Sequence, residues 1–193
     1  MKTSLTLRLS VPRSSRRSVK SLQQRLPDFE GRAIRIRFLP GLTAGSRKLY
    51  SKRSYGRPVY AGTFIRKRRM VLDSELAEKP RELARILTHE LFHFVWARLG
   101  NQKRRSYEEL LRQEWKERAR GELGWSAESR KSILPRRPDR AHWRDYLCES
   151  FCDTAAWMYS GVDRHPEFTL ANRHRDRRAE WFYANFEGRK IPI

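Results

Sequence analysis

The first third of the chain alternates between apolar and polar residues over short segments. Leucine or valine occupies every second position from 5 to 11, and isoleucine or phenylalanine does so from 34 to 38. Such alternation is typical of strands with one buried face. Val19, Leu22 and Leu26 lie between the two segments at helical spacing. The pattern therefore predicts the order strand, helix, strand.

The segment that follows predicts a loop and then a hairpin. Residues 40–58 are rich in Gly, Ser, Arg and Tyr and have no periodic pattern, which favours a loop. Residues 63–65 (Thr, Phe, Ile) and 70–72 (Met, Val, Leu) then flank four consecutive cations at 66–69. We expect a β-hairpin whose tip is positively charged.

The next apolar pattern has the spacing of a helix. Residues 80–99 carry leucines, phenylalanine and valine at intervals of three and four. Pro80 suits the first turn of a helix, and Gly100 suits the position just beyond its end. The pattern predicts one long helix over residues 80–99.

Helical patterns continue to the end of the sequence. Ser106 and Glu109 have the spacing of a capping box, which predicts a helix that begins there and reaches about residue 119. Residues 121–140 lack periodicity and predict a long loop. Two further helices are predicted, over residues 142–159 and 169–186.

This order of elements indicates an α+β fold, with a small mixed or antiparallel sheet before a helical part. A chain of 193 residues fits one domain and can bury a core. We therefore expect a single domain over residues 1–193. Its parts would be a basic strand-rich segment (1–72), the long helix (80–99), a helical insertion with a loop (101–140) and a helical segment (142–193).

The charge is concentrated at one end of the chain. The formal charge is +21, and residues 1–70 hold 19 lysines and arginines against two acids, Asp28 and Glu30. The hydrophobic fraction of 38% and the aromatic fraction of 11% argue against a disordered chain. A basic segment predicts a face for nucleic acid or another polyanion, although an ordinary solvated surface would have the same composition.

Location is predicted from what the sequence lacks. The N-terminus has no apolar stretch typical of a secretory signal, and no apolar run reaches the length of a membrane span. The two cysteines, Cys148 and Cys152, do not require an oxidising compartment. We expect a cytoplasmic protein, although the Ser/Arg-rich residues 1–27 also fit an organellar transit peptide.

The segment with the clearest chemistry is His89-Glu90-Leu91-Phe92-His93, inside the predicted long helix. Residues four apart share one face of a helix, so the two imidazoles can bind one metal ion. Glu90 would lie beside them and could take a proton from a water bound to that ion. The motif predicts a site for one Zn²⁺ with Glu90 as general base.

A catalytic zinc site usually takes a third protein ligand. Glu149 and Asp153 lie four apart on a largely apolar predicted helix, where unpaired acids are costly to bury. Glu149 would coordinate the metal, and Asp153 would reach the second nitrogen of a ligand histidine. The alternative is a capping or surface ion-pair role. Cys148 and Cys152 lack the second cysteine pair of a structural zinc site and are interpreted as packing residues.

The two motifs, His89-Glu90-x-x-His93 and Glu149-x-x-x-Asp153, resemble the gluzincin metallopeptidases, the thermolysin-like group, and in particular its minimal single-domain versions. The resemblance covers residues 60–100 and 142–160, about a third of the chain. It implies a zincin-like fold and a zinc-dependent peptidase acting on peptide or protein substrates. His89, His93 and Glu149 would be ligands, Glu90 the base and Asp153 the partner of His89. Residues 62–72 would form the strand at the cleft edge.

The sequence departs from that group in the residues that stabilise the tetrahedral intermediate. The family supplies a His and a Tyr, and no motif identifies them here. His165 and Tyr146 are the candidates, with His174 and Tyr183 as alternatives. A third ligand from His142, His165 or His174 would instead suggest a SprT-like, DNA-associated protease. The basic segment also leaves open a nucleic-acid-binding protein with a non-catalytic zinc site.

Overall fold

Short strands dominate the chain before its first long helix. The computed structural model describes residues 8–10, 16–46, 48–52, 55–136 and 138–193. Of the strand predicted over residues 5–11, residues 8–10 form a strand and the rest lie outside the described residues. The strands are β1 (Arg8–Ser10), β2 (Phe29–Glu30), β3 (Arg35–Leu39), β4 (Leu42–Gly45), β5 (Lys48–Ser51), β6 (Arg57–Pro58), β7 (Ala61–Phe64), β8 (Arg69–Asp73) and β9 (Ile191–Pro192).

The main sheet has four strands in the order β1, β3, β8, β7. β3 is parallel to β1 and to β8, whereas β7 and β8 form an antiparallel hairpin. A 3-10 turn at Ile65–Lys67 and the left-handed Arg68 (φ 45°) connect these last two strands. The predicted hairpin with a cationic tip is confirmed. β7 is the terminal strand of this sheet.

The prediction of a loop over residues 40–58 is wrong, because this segment forms a second small sheet. β4 pairs with β5 and β6 in an antiparallel arrangement. These strands have two to four residues and no apolar alternation, so the sequence carries no strand signal there. The Asp73 carboxylate accepts a hydrogen bond from the Leu42 amide at 2.7 Å and fastens this sheet to the end of β8.

Helices make up most of the chain after residue 79. The long predicted helix is confirmed to within one residue at its end, and the helix predicted between the first two strands is confirmed as well. The six described helices are α1 (Arg16–Arg25), α2 (Pro80–Arg98), α3 (Asn101–Lys116), α4 (Trp125–Ser132), α5 (Arg140–Tyr159) and α6 (Asn172–Phe186).

Two helix predictions need correction. α3 begins five residues before Ser106, whose hydroxyl donates to the Lys103 carbonyl at 3.0 Å within the helix, so the capping box is wrong. The loop predicted over residues 121–140 contains α4. This helix buries only Ala127 and so has no apolar stripe to signal it. α5 begins at Arg140 because the Asp139 carboxylate caps it.

One large apolar cluster joins the sheet to the helices. Ile36, Met70 and Leu72 point from the main sheet into this cluster, where they join Leu87 of α2 and Phe151 of α5. The α+β class is therefore confirmed. Among the described residues, no helix is both long and apolar enough to cross a membrane.

Candidate metal centre

Helix α2 carries both histidines and the glutamate of the first motif. His89 and Glu90 are buried, with 8% and 9% of their surface exposed, and His93 is half-buried. The two imidazole ring centres lie 4.9 Å apart, as residues one helical turn apart should. Most neighbours of the motif on α2 are apolar and buried, so packing fixes the helix and aims both rings in one direction.

Helix α5 brings a carboxylate to both rings. One Glu149 oxygen, Oε2, lies 3.2 Å from His89 Nε2 and 3.8 Å from His93 Nε2. Ligand atoms about 2.0–2.2 Å from a tetrahedral zinc ion are about 3.3 Å from one another. The spacing from Glu149 to the two rings therefore fits one zinc ion, which would bind to the two Nε2 atoms and this carboxylate.

Asp153 orients His89 from the other side of its ring. Asp153 Oδ1 lies 2.7 Å from His89 Nδ1, and its Oδ2 accepts a hydrogen bond from the Ala127 amide of α4 at 2.8 Å. This contact holds the proton of a neutral His89 on Nδ1 and leaves the Nε2 lone pair free for a metal. A Cβ at position 124 would overlap the Asp153 carboxylate, so only glycine fits before α4.

Both cysteines contact the second ring, so their interpretation as packing residues is incomplete. Cys148 Sγ and Cys152 Sγ lie 3.5 Å and 3.4 Å from His93 Nδ1. Both are free thiols, and His89, His93 and Cys152 form a second possible set of metal donors, with ligand atoms within 4.8 Å of one another. Cys152 is fully buried, however, whereas Glu149 lines the adjoining cleft.

Glu90 lies at the same cleft and is held by the edge strand. Its Oε2 atom accepts a hydrogen bond from the Thr63 hydroxyl of β7 at 2.5 Å. Thr63 is on the sheet face that packs toward α2, as is its register partner Met70. The carboxylate of Glu90 is therefore fixed between the helix and the strand.

The cleft has a volume of about 480 Å³. Ala61 of β7 and residues 57–60 form one wall, and residues of α2, α4 and α5 form the others. Since β7 is the terminal strand of its sheet, an extended chain can approach along this wall.

Charged and aromatic side chains form the rest of the rim. The Glu167 carboxylate accepts hydrogen bonds from Arg85 Nη1 at 2.9 Å and from the Trp125 amide at 2.8 Å. The Arg57 guanidinium lies 5.7 Å from the centre of the exposed Trp125 ring. Through its two hydrogen bonds, Glu167 links the loop before α6 to α2 and α4 at the cleft.

The donor groups shift one another's protonation. Burial lowers the pKa of His93, but Cys148 and Glu149 outweigh burial and raise this pKa to about 9. Burial raises the pKa of Glu149, but the two imidazoles outweigh it and lower the pKa to about 2. Burial also opposes the positive charge of His89, yet Asp153 and Glu149 raise its pKa well above the ordinary value. A metal cation binding here would therefore displace imidazole protons.

Neither residue proposed from the sequence to stabilise the intermediate lines the cleft. Tyr146 is 1% exposed and donates to Glu122 Oε1 at 2.5 Å, inside a buried network with Arg178. His165 Nε2 lies 2.7 Å from Glu82 Oε1, just outside the cleft wall.

The other candidate residues are also engaged elsewhere. His142 is exposed and lies against Asp139 at 2.6 Å, and His174 is buried 3.7 Å from Glu117. Tyr183 is exposed on α6. Both motifs of the resemblance thus meet, whereas the histidines considered as alternative third ligands lie beside other acids and do not line the cleft.

Several residues at the site were not predicted from the sequence. Gly124 and Glu167 approach the motifs only through tertiary packing, and no local pattern identifies them. Thr63 lies in the segment expected at the cleft edge, but its contact with Glu90 was not predicted. Compared with known proteins, the chain matches no protein-family model, no curated protein and no solved structure.

Proposed function

We propose that this protein is a zinc-dependent peptidase of the zincin-like type. The observation that carries the proposal is the approach of Glu149 to both imidazoles from a helix about 60 residues away in the chain. Glu90 lies on the same cleft, beside the ligands it would serve. Two helices that packed for stability alone would not need to gather these four polar groups, two of them buried, around one cleft.

His89, His93 and Glu149 would hold one Zn²⁺. When bound, zinc supplies Lewis acidity that polarises a peptide carbonyl and lowers the pKa of water. Asp153 keeps the His89 lone pair on the metal side. Since Glu149 faces the cleft and Cys152 is fully buried, the glutamate set leaves the ion accessible to substrate, whereas the Cys152 set favours a closed, non-catalytic site.

Glu90 would act as the general base. Its carboxylate accepts a proton from the water whose oxygen attacks the carbonyl carbon. It then passes that proton to the amide nitrogen as the carbon–nitrogen bond breaks. Thr63 holds one oxygen of Glu90 and leaves the other for this transfer. An extended peptide would lie along β7, whose outer edge pairs with no other strand of the main sheet among the described residues.

The test combines zinc content with peptide hydrolysis, measured on purified full-length protein. Glu90→Gln should keep one zinc ion per chain and lose activity on a quenched fluorescent peptide by at least about a hundredfold. His93→Ala and Glu149→Ala should lose both zinc and activity. The exposed Glu78 lies just before α2, makes no ion pair among the described residues and provides the matched control Glu78→Gln.

The outcomes separate the alternatives. Full activity of Glu90→Gln would exclude Glu90 as the base. Zinc retained in Glu149→Ala but lost in Cys152→Ala would move the third ligand to the cysteine and favour the non-catalytic site.

A further inference from the structure

The face of the main sheet that points away from the core carries a row of cations. Ile36 and Met70 are buried on the core side, so Arg35 and Arg37 alternate onto the opposite face, where both are exposed. Arg35 is the register partner of Arg69 on β8. Like charges at such neighbouring positions repel, so this arrangement is not explained by sheet stability.

The hairpin tip extends the same positive region. Arg32 and Arg35 share a pocket of about 420 Å³ with Arg66 and Lys67 of the 3-10 turn. The nearby Arg68 has a structural role, because its guanidinium donates to the carbonyls of Ala33 and Ile193. The pocket therefore presents cations that the hairpin does not need for its own backbone.

Acids do not neutralise this region. Arg32, Arg35, Arg37, Arg66 and Lys67, which we call the basic surface, make no ion pair within the part of the chain that the structure describes. Between residues 19 and 72 the sequence holds only two acids. A stable surface with this much uncompensated charge is complementary to a polyanion.

At the edge of the basic surface an arginine lacks a full set of partners. The Nε atom of Arg69 is buried without a hydrogen-bond partner among the described residues. Its guanidinium lies 4.6 Å from the centre of the Phe64 ring. This aromatic contact orients the Arg69 side chain beside its register partner Arg35.

We propose that the basic surface binds the phosphate backbone of nucleic acid, without sequence preference. Four of its five cations are arginines, whose planar guanidinium groups match phosphate oxygens. The lining of its pocket is concave and cationic, without the large apolar side chains that insert into a lipid surface. This binding does not depend on the proposed peptidase activity.

The test is fluorescence anisotropy with the full-length protein and labelled 20-base-pair duplexes of two unrelated sequences, with the single strands in parallel. Arg35→Gln/Arg37→Gln/Arg66→Gln/Lys67→Gln should weaken binding at least about tenfold. The magnitude of its salt slope should fall by about 0.9 for each duplex phosphate that the variant no longer neutralises. The two sequences should bind within about twofold of each other.

A matched variant removes the same charge elsewhere. Arg105, Lys116, Arg140 and Arg144 are exposed on α3 and α5 and make no ion pair within the described ranges. Changing all four to Gln should alter affinity less than about twofold if the basic surface is the site. Circular dichroism and zinc content show whether both variants keep the parent's fold.

Three results would overturn the proposal. Equal weakening in both variants would indicate diffuse attraction to net charge. If the parent bound neither form of nucleic acid in a salt-sensitive way, nucleic acid would be excluded as the ligand of the basic surface. Binding to phosphatidylserine vesicles but not to oligonucleotides would assign the surface to a membrane instead.

Discussion

At the residue scale, Thr63 connects the edge strand to the candidate base. Its hydroxyl donates to Glu90 at 2.5 Å. Thr63→Val keeps the shape of the side chain but leaves Glu90 without this donor. We expect turnover to fall by about ten- to a hundredfold, with zinc content and KM little changed, since partners of site residues have effects of this size.

Thr63→Ser supplies the control, because it keeps the hydroxyl and should retain most of the parent's turnover. Steady-state kinetics on the same fluorescent peptide measures both variants. Full turnover in Thr63→Val together with a loss in Thr63→Ser would show that the methyl group matters through packing and that the hydrogen bond does not.

Gly124 lies against the Asp153 carboxylate. Because a Cβ there would overlap the Asp153 carboxylate, Gly124→Ala should displace Asp153 from His89. We expect zinc affinity to fall by about ten- to a hundredfold, measured by competition with a chromogenic chelator. Gly100→Ala is the control, since no atom lies within 4 Å of a Cβ there. Unchanged affinity in Gly124→Ala would show that Asp153 does not support the site.

The two motifs could be predicted from the sequence because helical spacing alone places His89 beside His93 and Glu149 near Asp153. Their meeting depends on how α2 packs against α5, which no spacing reveals. Thr63 was predicted to lie in a strand, but its contact with Glu90 depends on the sheet's position over α2. The contacts of both cysteines with His93 likewise depend on how α2 packs against α5.

At the element scale, the sequence identified the elements that bury an apolar face. α2 and the β7–β8 hairpin have strong periodic patterns and form as predicted. α4 and the β5–β4–β6 sheet bury few apolar side chains and depend on polar contacts, notably with Asp153 and Asp73. Local pattern therefore cannot identify them, because their partners come from other parts of the chain.

A buried ion network joins α3, α6 and the loop before α4. The Arg178 guanidinium is fully buried and donates to Glu114 at 2.6 Å and to Glu122 at 2.7 Å. Burial alone would raise the pKa of the Glu122 carboxyl, but the charges of Arg178 and Lys131 outweigh it and lower this pKa to about 2. The charged form of Glu122 thus stabilises the folded state.

This network predicts acid sensitivity. The folded pKa of Glu122 lies below its ordinary value of 4.5, so its contribution is present above that pH and is lost as the pH falls toward 2. The loss should be roughly 3 kcal/mol of unfolding free energy in the parent. Glu122→Gln should remove this part of the slope, as urea unfolding between about pH 5 and pH 2.5 would measure.

The control for this measurement is Glu109→Gln, an exposed position without an ion pair among the described residues, which should keep the parent's slope. If Glu122→Gln had the parent's pH dependence, the network would not be the source of acid sensitivity.

At the scale of the whole molecule, charge and candidate chemistry occupy different parts of one sheet. The β7–β8 hairpin borders the cleft at Ala61 and the basic surface at its tip. Nucleic acid bound at the tip would therefore lie a few residues along β7 from Thr63, which contacts Glu90. The sequence predicted the positive segment and the cationic hairpin tip, but only the fold shows that the tip adjoins the cations on the outer face of the sheet.

The metal should also stabilise the molecule as a whole, because its proposed ligands come from two helices far apart in the chain. A ligand present at about a thousand times its Kd stabilises the folded state by about 4 kcal/mol, which corresponds to a rise in Tm of roughly 8 to 16 °C for a chain of this size. We expect chelation to lower the Tm of the parent by this amount in calorimetry. The Tm of Cys152→Ala should fall on chelation as the parent's does. Glu149→Ala should have a lower Tm from the start, and chelation should not lower it further. If chelation lowered the Tm of Glu149→Ala but not that of Cys152→Ala, Cys152 would be the third ligand. If removal of zinc left the Tm of the parent unchanged, the ion would not connect α2 to α5.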